Sequence, residues 1–207
     1  MMFSIKSLFP YIFQWAEFSE EKQLNFNGYL LFYQGESVII DPPKLSENGL
    51  DELNIKLNKI TDFPLKAILL TNMHHDRSSQ KFKELYSIPI YINEDDARGL
   101  EVPPDKTFKN GDRLFCNLKT IQIKNQKTIG ETAFYLESEK LLIVGDALIG
   151  KPEGKVSILP NEKYEDPVQT KESLKILLNF DFEKLLVGDG DSILRNGKSY
   201  VEKFLNT

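Results

Sequence analysis

The chain has 207 residues, the size of one ordinary domain of ~100–200 residues with some elaboration. At 41% hydrophobic and 28% charged it can bury a core, and its 26 basic against 31 acidic residues leave a formal net charge of −5, which offers no long-range attraction to nucleic acid. The only histidines are the adjacent His74 and His75 and the only cysteine is Cys116, which excludes zinc fingers, zinc ribbons, three-histidine sites and an internal disulfide. No segment approaches the ~18–20 apolar residues that span a bilayer, and Met1–Ala16 lacks the ordered regions of a signal peptide. The expectation is a cytoplasmic protein that binds neither membrane nor nucleic acid, with Cys116 reduced.

In chain order, aromatic and branched residues predict strands over Tyr11–Phe18 and Asn25–Tyr33. A turn at Gln34-Gly35 leads to a buried strand, Glu36–Asp41, stopped by Pro42-Pro43. Leu50, Leu53, Leu57 and Ile60 recur at helical spacing, and Lys66–Thr71 is a short apolar run that reads as a buried strand. Its exit leads into a helix carrying Phe82, Leu85 and Tyr86, then a strand over Ile88–Ile92 and a short helix over Asp95–Leu100. Short strands are expected between Phe108 and Ile123, broken by the turn Lys109–Asp112. A hairpin joins Glu131–Glu137 to Lys140–Val144, and a further strand is expected over Lys155–Leu159. Asp166 with Pro167 reads as the start of a helix with Leu174, Leu177 and Leu178 on its apolar face. A strand over Glu183–Val187 and a helix over Lys198–Leu205 close the chain. No repeat or linker interrupts it, so residues 1–207 read as a single α/β domain.

The informative residues are carboxylates at strand ends. Asp41, Asp146 and Asp189 close apolar runs and Asp76 follows one within a loop, and strand ends are where layered α/β folds assemble sites. Any one of them is equally at home in a turn, and Thr71 and Asn72 suit local hydrogen bonds that fix a loop.

These segments carry a resemblance. Thr71-Asn72-Met73-His74-His75-Asp76-Arg77 resembles the Thr-His-x-His-x-Asp-His signature of the metallo-β-lactamase superfamily. Gly130-Glu131-Thr132 with Val144-Gly145-Asp146 resembles its second hairpin, Leu185–Gly190 its last strand, and Asn27–Leu31 with Ile39–Pro42 its first hairpin. The ordered set covers essentially the whole chain and implies a four-layer αββα metallo-β-lactamase-like sandwich with the site at one edge.

The same alignment shows departures. Asn72, Arg77, Lys127 and Asp189 stand where the family has histidines, so its dinuclear centre cannot form. The resemblance leaves His74, Asp76, Asp146 and Asp189 as metal ligands, with Asp76 as general base. That set suits none or one divalent ion: manganese, magnesium or zinc. Two readings follow. One is a divergent hydrolase of unknown substrate, acting on a small ester, thioester or phosphoester through at most one ion. The other is a metal-free, non-catalytic relative that uses Arg77 and Lys127, with Asn72 and His75 alongside, to bind a small anionic ligand. Neighbouring residues point apart, so His74 and His75 do not grip one ion, and a shifted loop would put His75 in the site.

Overall fold

A computed structural model describes residues 5–60 and 62–207. Among the described residues, eleven strands form two sheets. The larger contains β1 (Ile5–Phe9), β2 (Ile12–Ser19), β3 (Leu24–Tyr33), β4 (Glu36–Ile40), β5 (Leu65–Leu69), β6 (Ile90–Asn93) and β7 (Lys106–Phe108), in that spatial order. Its first three pairings are antiparallel and its last three parallel. The smaller sheet runs β11 (Lys184–Val187), β10 (Leu141–Val144), β9 (Thr132–Leu136), β8 (Lys119–Gln122), with only β10–β11 parallel.

Period-two alternation explains the layering, because successive strand residues face opposite sides. In β4, Val38 and Ile40 pack between the sheets with Phe134, Leu136, Leu141, Ile143 and Leu186. Ile39 faces the other way, with Ile68, Leu70 and Ile90, against Leu53 of α1 (Glu47–Lys59) and Phe82 of α2 (Ser79–Tyr86). On the far side, Leu142, Val144, Leu185 and Val187 pack under Leu174 and Leu177, which follow α3 (Pro167–Ser173), and under Val201 of α4 (Gly197–Leu205). Strands apolar on both faces are what two helix-covered sheets require, and three cores separate four layers, α, β, β and α.

Two of the strand expectations change. Ile5–Phe9 is a strand that the apolar pattern before Pro10 did not single out. Lys155–Leu159 forms no strand; Ser157 makes one isolated bridge to Ile149, between Gly154 and Pro160.

Candidate functional site

The ends of β4, β5, β10 and β11 meet at one edge of the sandwich, where a polar cluster sits. A single 3₁₀ turn, Met73–His75, decides which side chains of the signature enter it. With three residues per turn, positions i and i+3 share a face, so Asn72 and His75 turn inward together. His75 N–H bonds Asn72 O at 3.2 Å, and Asn72 Oδ1 accepts from His74 N–H at 2.9 Å. His74 is thereby directed outward and is exposed, whereas His75 is 2% exposed. The histidine that faces the cluster is thus His75, the arrangement expected for a shifted loop, and His74 points away from it.

His75 Nδ1 lies 2.9 Å from Asp41 Oδ2, and its Nε2 3.3 Å from Asp146 Oδ1 and 4.0 Å from Asp189 Oδ1. Both ring nitrogens thus face carboxylate oxygens, which only accept hydrogen bonds and so favour the charged form of the ring. Burial and the Arg77 charge push its pKa down, but Asp41 and Asp146 outweigh them and raise it to about 10. Asp41 also accepts from Thr71 N–H at 2.9 Å and Thr71 O–H at 2.6 Å.

Two further cations close the cluster. Arg77 Nη2 donates to Asp189 Oδ1 at 2.6 Å and its Nη1 to Asn27 O at 3.3 Å, with the guanidinium 4.7 Å from the Phe26 ring centre. Lys127 Nζ donates to Asp146 Oδ2 at 2.7 Å. Its loop is tied to α3, where Thr170 donates to Asn125 O at 2.6 Å and Asn125 Nδ2 reaches Ser173 Oγ at 2.8 Å. Burial alone would raise the Asp146 carboxyl; the His75 and Lys127 charges instead hold it far below the ordinary carboxylate range.

Glu131, fully buried, supports this set from behind. It accepts from Asn72 Nδ2 at 2.9 Å and from the Asp146 and Ala147 N–H groups at 3.0 and 3.2 Å. Burial, then the Asp146 charge, pushes its pKa well above the usual carboxylate range. Backbone conformation is forced here too: Asp41 has φ +47° and Arg77 φ +35°, left-handed geometry that costs on the order of 1–3 kcal/mol outside glycine. A Cβ on Gly188 would strike the His75 ring, and one on Gly145 would strike Thr71 Oγ1, so neither position admits a side chain without movement.

Of the residues expected in the site, Asn72, His75, Arg77, Lys127, Asp146 and Asp189 are brought together. Asp76 makes no side-chain hydrogen bond or ion pair with them among the described residues; it is partly buried and its carbonyl accepts from Ser79 N–H at 2.6 Å as α2 begins. His74 lies outside, near enough to Lys127 that partial desolvation and the ammonium charge lower its pKa. Sequence reasoning missed Glu131, whose place before β9 carries no distinguishing pattern, and assigned Asp41 no role although its strand-end position was visible.

Two facing sheets covered by helices, with a polar cluster where loops from both converge, define the αββα sandwich class. A profile of the metallo-beta-lactamase superfamily matches residues 5–207, and the chain belongs to that superfamily. Solved structures agree on the fold. A metallo-beta-lactamase from Pontibacter korlensis superposes with a TM-score of 0.77 at 15% identity, over 98% of each chain. The DIM-1 metallo-beta-lactamase exposed to ceftazidime gives 0.75 at 17% identity, over 98% of this chain and 95% of its own. A metallo-beta-lactamase family protein from Thermus thermophilus gives 0.69 at 20% identity, over 95% and 79%. No curated protein sequence matches the chain.

Membership raises the question of metal. Among the described residues, His75, Asp146 and Asp189 bring donor atoms within 4.8 Å of one another. Those donors are already committed: Asp189 Oδ1 carries Arg77, Asp146 carries Lys127, and His75 Nε2 points its hydrogen at Asp146. Three cations, His75, Arg77 and Lys127, face three carboxylates, Asp41, Asp146 and Asp189, with Glu131 beside them. An entering divalent ion would have to expel the His75 proton and displace the guanidinium, exchanging two positive charges for two with no gain in net compensation. Among the described residues the cluster thus offers one imidazole, and each of its three carboxylates faces a cation.

Proposed function

We propose that this chain is a metal-independent, non-hydrolytic member of the superfamily that binds a small anionic ligand at the mouth of the cluster through Arg77 and Lys127. The observation that carries the reading is the one-to-one pairing of cations and carboxylates, which satisfies internally the charge that a metal would neutralise. Both proposed ligand-binding side chains reach the rim, Arg77 13% and Lys127 22% exposed. Each has N–H groups beyond those it spends on Asp189, Asn27 and Asp146.

The test is elemental analysis of untagged protein before and after incubation with manganese, zinc or magnesium, paired with thermal unfolding in inorganic phosphate. The expected result is no stoichiometric metal, no effect of chelator on the unfolding midpoint, and a phosphate-dependent rise that Lys127→Met abolishes. About one equivalent of a single metal, lost in Asp146→Asn, overturns the proposal in favour of a one-ion hydrolase.

A further inference from the structure

The two sheets differ in width, seven strands against four. Asn27 N–H bonds Gly188 O at 2.7 Å and Tyr29 O–H bonds Val187 O at 2.7 Å, so β11, the edge of the smaller sheet, lies against β3. β1 and β2 extend beyond it. The segment after β11 folds back, with Ile193 bridging to Leu185, and between it and β1–β2 runs a groove of about 650 Å³. That volume lies within the ~300–1,000 Å³ usual for small-ligand sites.

Its lining has a definite chemistry. Lys6 comes from β1 and Asp191 from the facing segment, both exposed. Among the described residues the side chains of Lys6, Asn25 and Asp191 have no hydrogen-bond or ion-pair partner. Gln14, paired with Lys6 in the β1–β2 ladder, spends its Nε2 on Asn27 Oδ1 at 2.6 Å and leaves its Oε1 open. Leu8 and Leu194 supply apolar wall. One free cation, one free anion, two amides and two leucines therefore line a single groove.

We propose that this groove is a second binding site, for a short apolar peptide with free termini. Lys6 takes the terminal carboxylate, Asp191 the terminal ammonium, Gln14 and Asn25 the amide between them, and Leu8 and Leu194 the side chains. A simple anion meets Asp191 repulsively, and a purely apolar ligand leaves four polar groups unpaired; a zwitterion with an amide satisfies all of them. The site is separate from the Arg77–Lys127 mouth and does not depend on the reading given to it.

The experiment titrates ¹⁵N-labelled protein with Leu-Leu, Leu-Leu-amide and N-acetyl-Leu-Leu. Saturable shifts are expected at the Gln14, Asn25, Asp191 and Leu194 amides, with Leu-Leu binding tightest. Lys6→Met weakens Leu-Leu about tenfold and leaves Leu-Leu-amide unchanged, and Asp191→Asn does the same for Leu-Leu relative to N-acetyl-Leu-Leu. No saturable shift into the millimolar range, equal affinity for all three peptides, or shifts centred on Arg77 and Lys127 would each overturn the proposal.

Discussion

Lys127–Asp146 at the sandwich edge and Lys140–Asp181 on the surface are both 2.7 Å ion pairs. In the first the carboxylate is 3% exposed and faces a second cation, His75; in the second it is 67% exposed and stands among water. Lys140 and Asp181 do shift each other's pKa, the hydrogen bond between them coming first and their charges second. Solvent and salt screen that interaction, and ordering two long side chains offsets it. The buried carboxylate has no such screening, so its partners decide whether the surrounding fold is tolerable. Distance alone does not rank the two pairs; the surroundings do.

The comparison breaks most readily at Asp41. Asp41→Asn keeps the shape but leaves the His75 imidazolium short of a carboxylate, and a loss of about 3–5 kcal/mol in denaturant unfolding is expected. If the loss is no larger than for a surface pair, the buried cluster is not under electrostatic constraint.

The pH dependence is the next largest effect. The His75 pKa is raised to about 10 from its ordinary 6.5, so the folded state holds a proton that the unfolded chain has released. The stabilisation is fully present below about pH 6.5 and is lost as pH climbs through about 10, at up to ~1.4 kcal/mol per pH unit in between. His75→Gln should flatten that slope in a series of urea unfolding curves. An equally steep slope in the variant would assign the proton elsewhere.

Lys127→Met is smaller, about 1–3 kcal/mol at neutral pH, because His75 still faces Asp146. The Asp146 pKa is depressed, so its stabilisation exists above the ordinary carboxylate pKa and is lost as pH falls. The gap between parent and variant must therefore close on acidification; a gap that persists would make the lysine's role steric. Smallest of all is Lys140→Met, for which no resolvable shift of the unfolding midpoint is expected at physiological salt.

The legible part of the molecule was the part fixed by repetition. Val38-Ile39-Ile40, Leu141–Val144 and Leu185-Leu186-Val187 announce strands buried on both faces, and Asp166-Pro167 announces a helix start; all appear where expected. β1 was less visible because Ile5–Phe9 mixes lysine and serine into an apolar run that is half edge strand. In the site, Asp146, Asp189, Arg77 and Lys127 could be named because they occupy motif positions. Which histidine enters could not, since a 3₁₀ turn and a one-residue register are backbone choices without a side-chain pattern. Glu131 was hidden for a different reason: its importance comes from Asn72 and the Asp146 amide, both distant in sequence.

The position of the cluster has a consequence for motion. Asp41 and Thr71 follow neighbouring strands of the larger sheet, and Asp146 and Asp189 follow neighbouring strands of the smaller one. His75 touches Asp41 on one side and Asp146 on the other, adding a charged rivet between two layers already joined by an apolar core and by hydrogen bonds such as Tyr29 O–H to Val187 O. Slippage of one sheet over the other would open a buried imidazolium to an incomplete set of partners. Amide exchange at Thr71 and Asp146 should therefore proceed only with global unfolding, the two sheets opening as one cooperative unit.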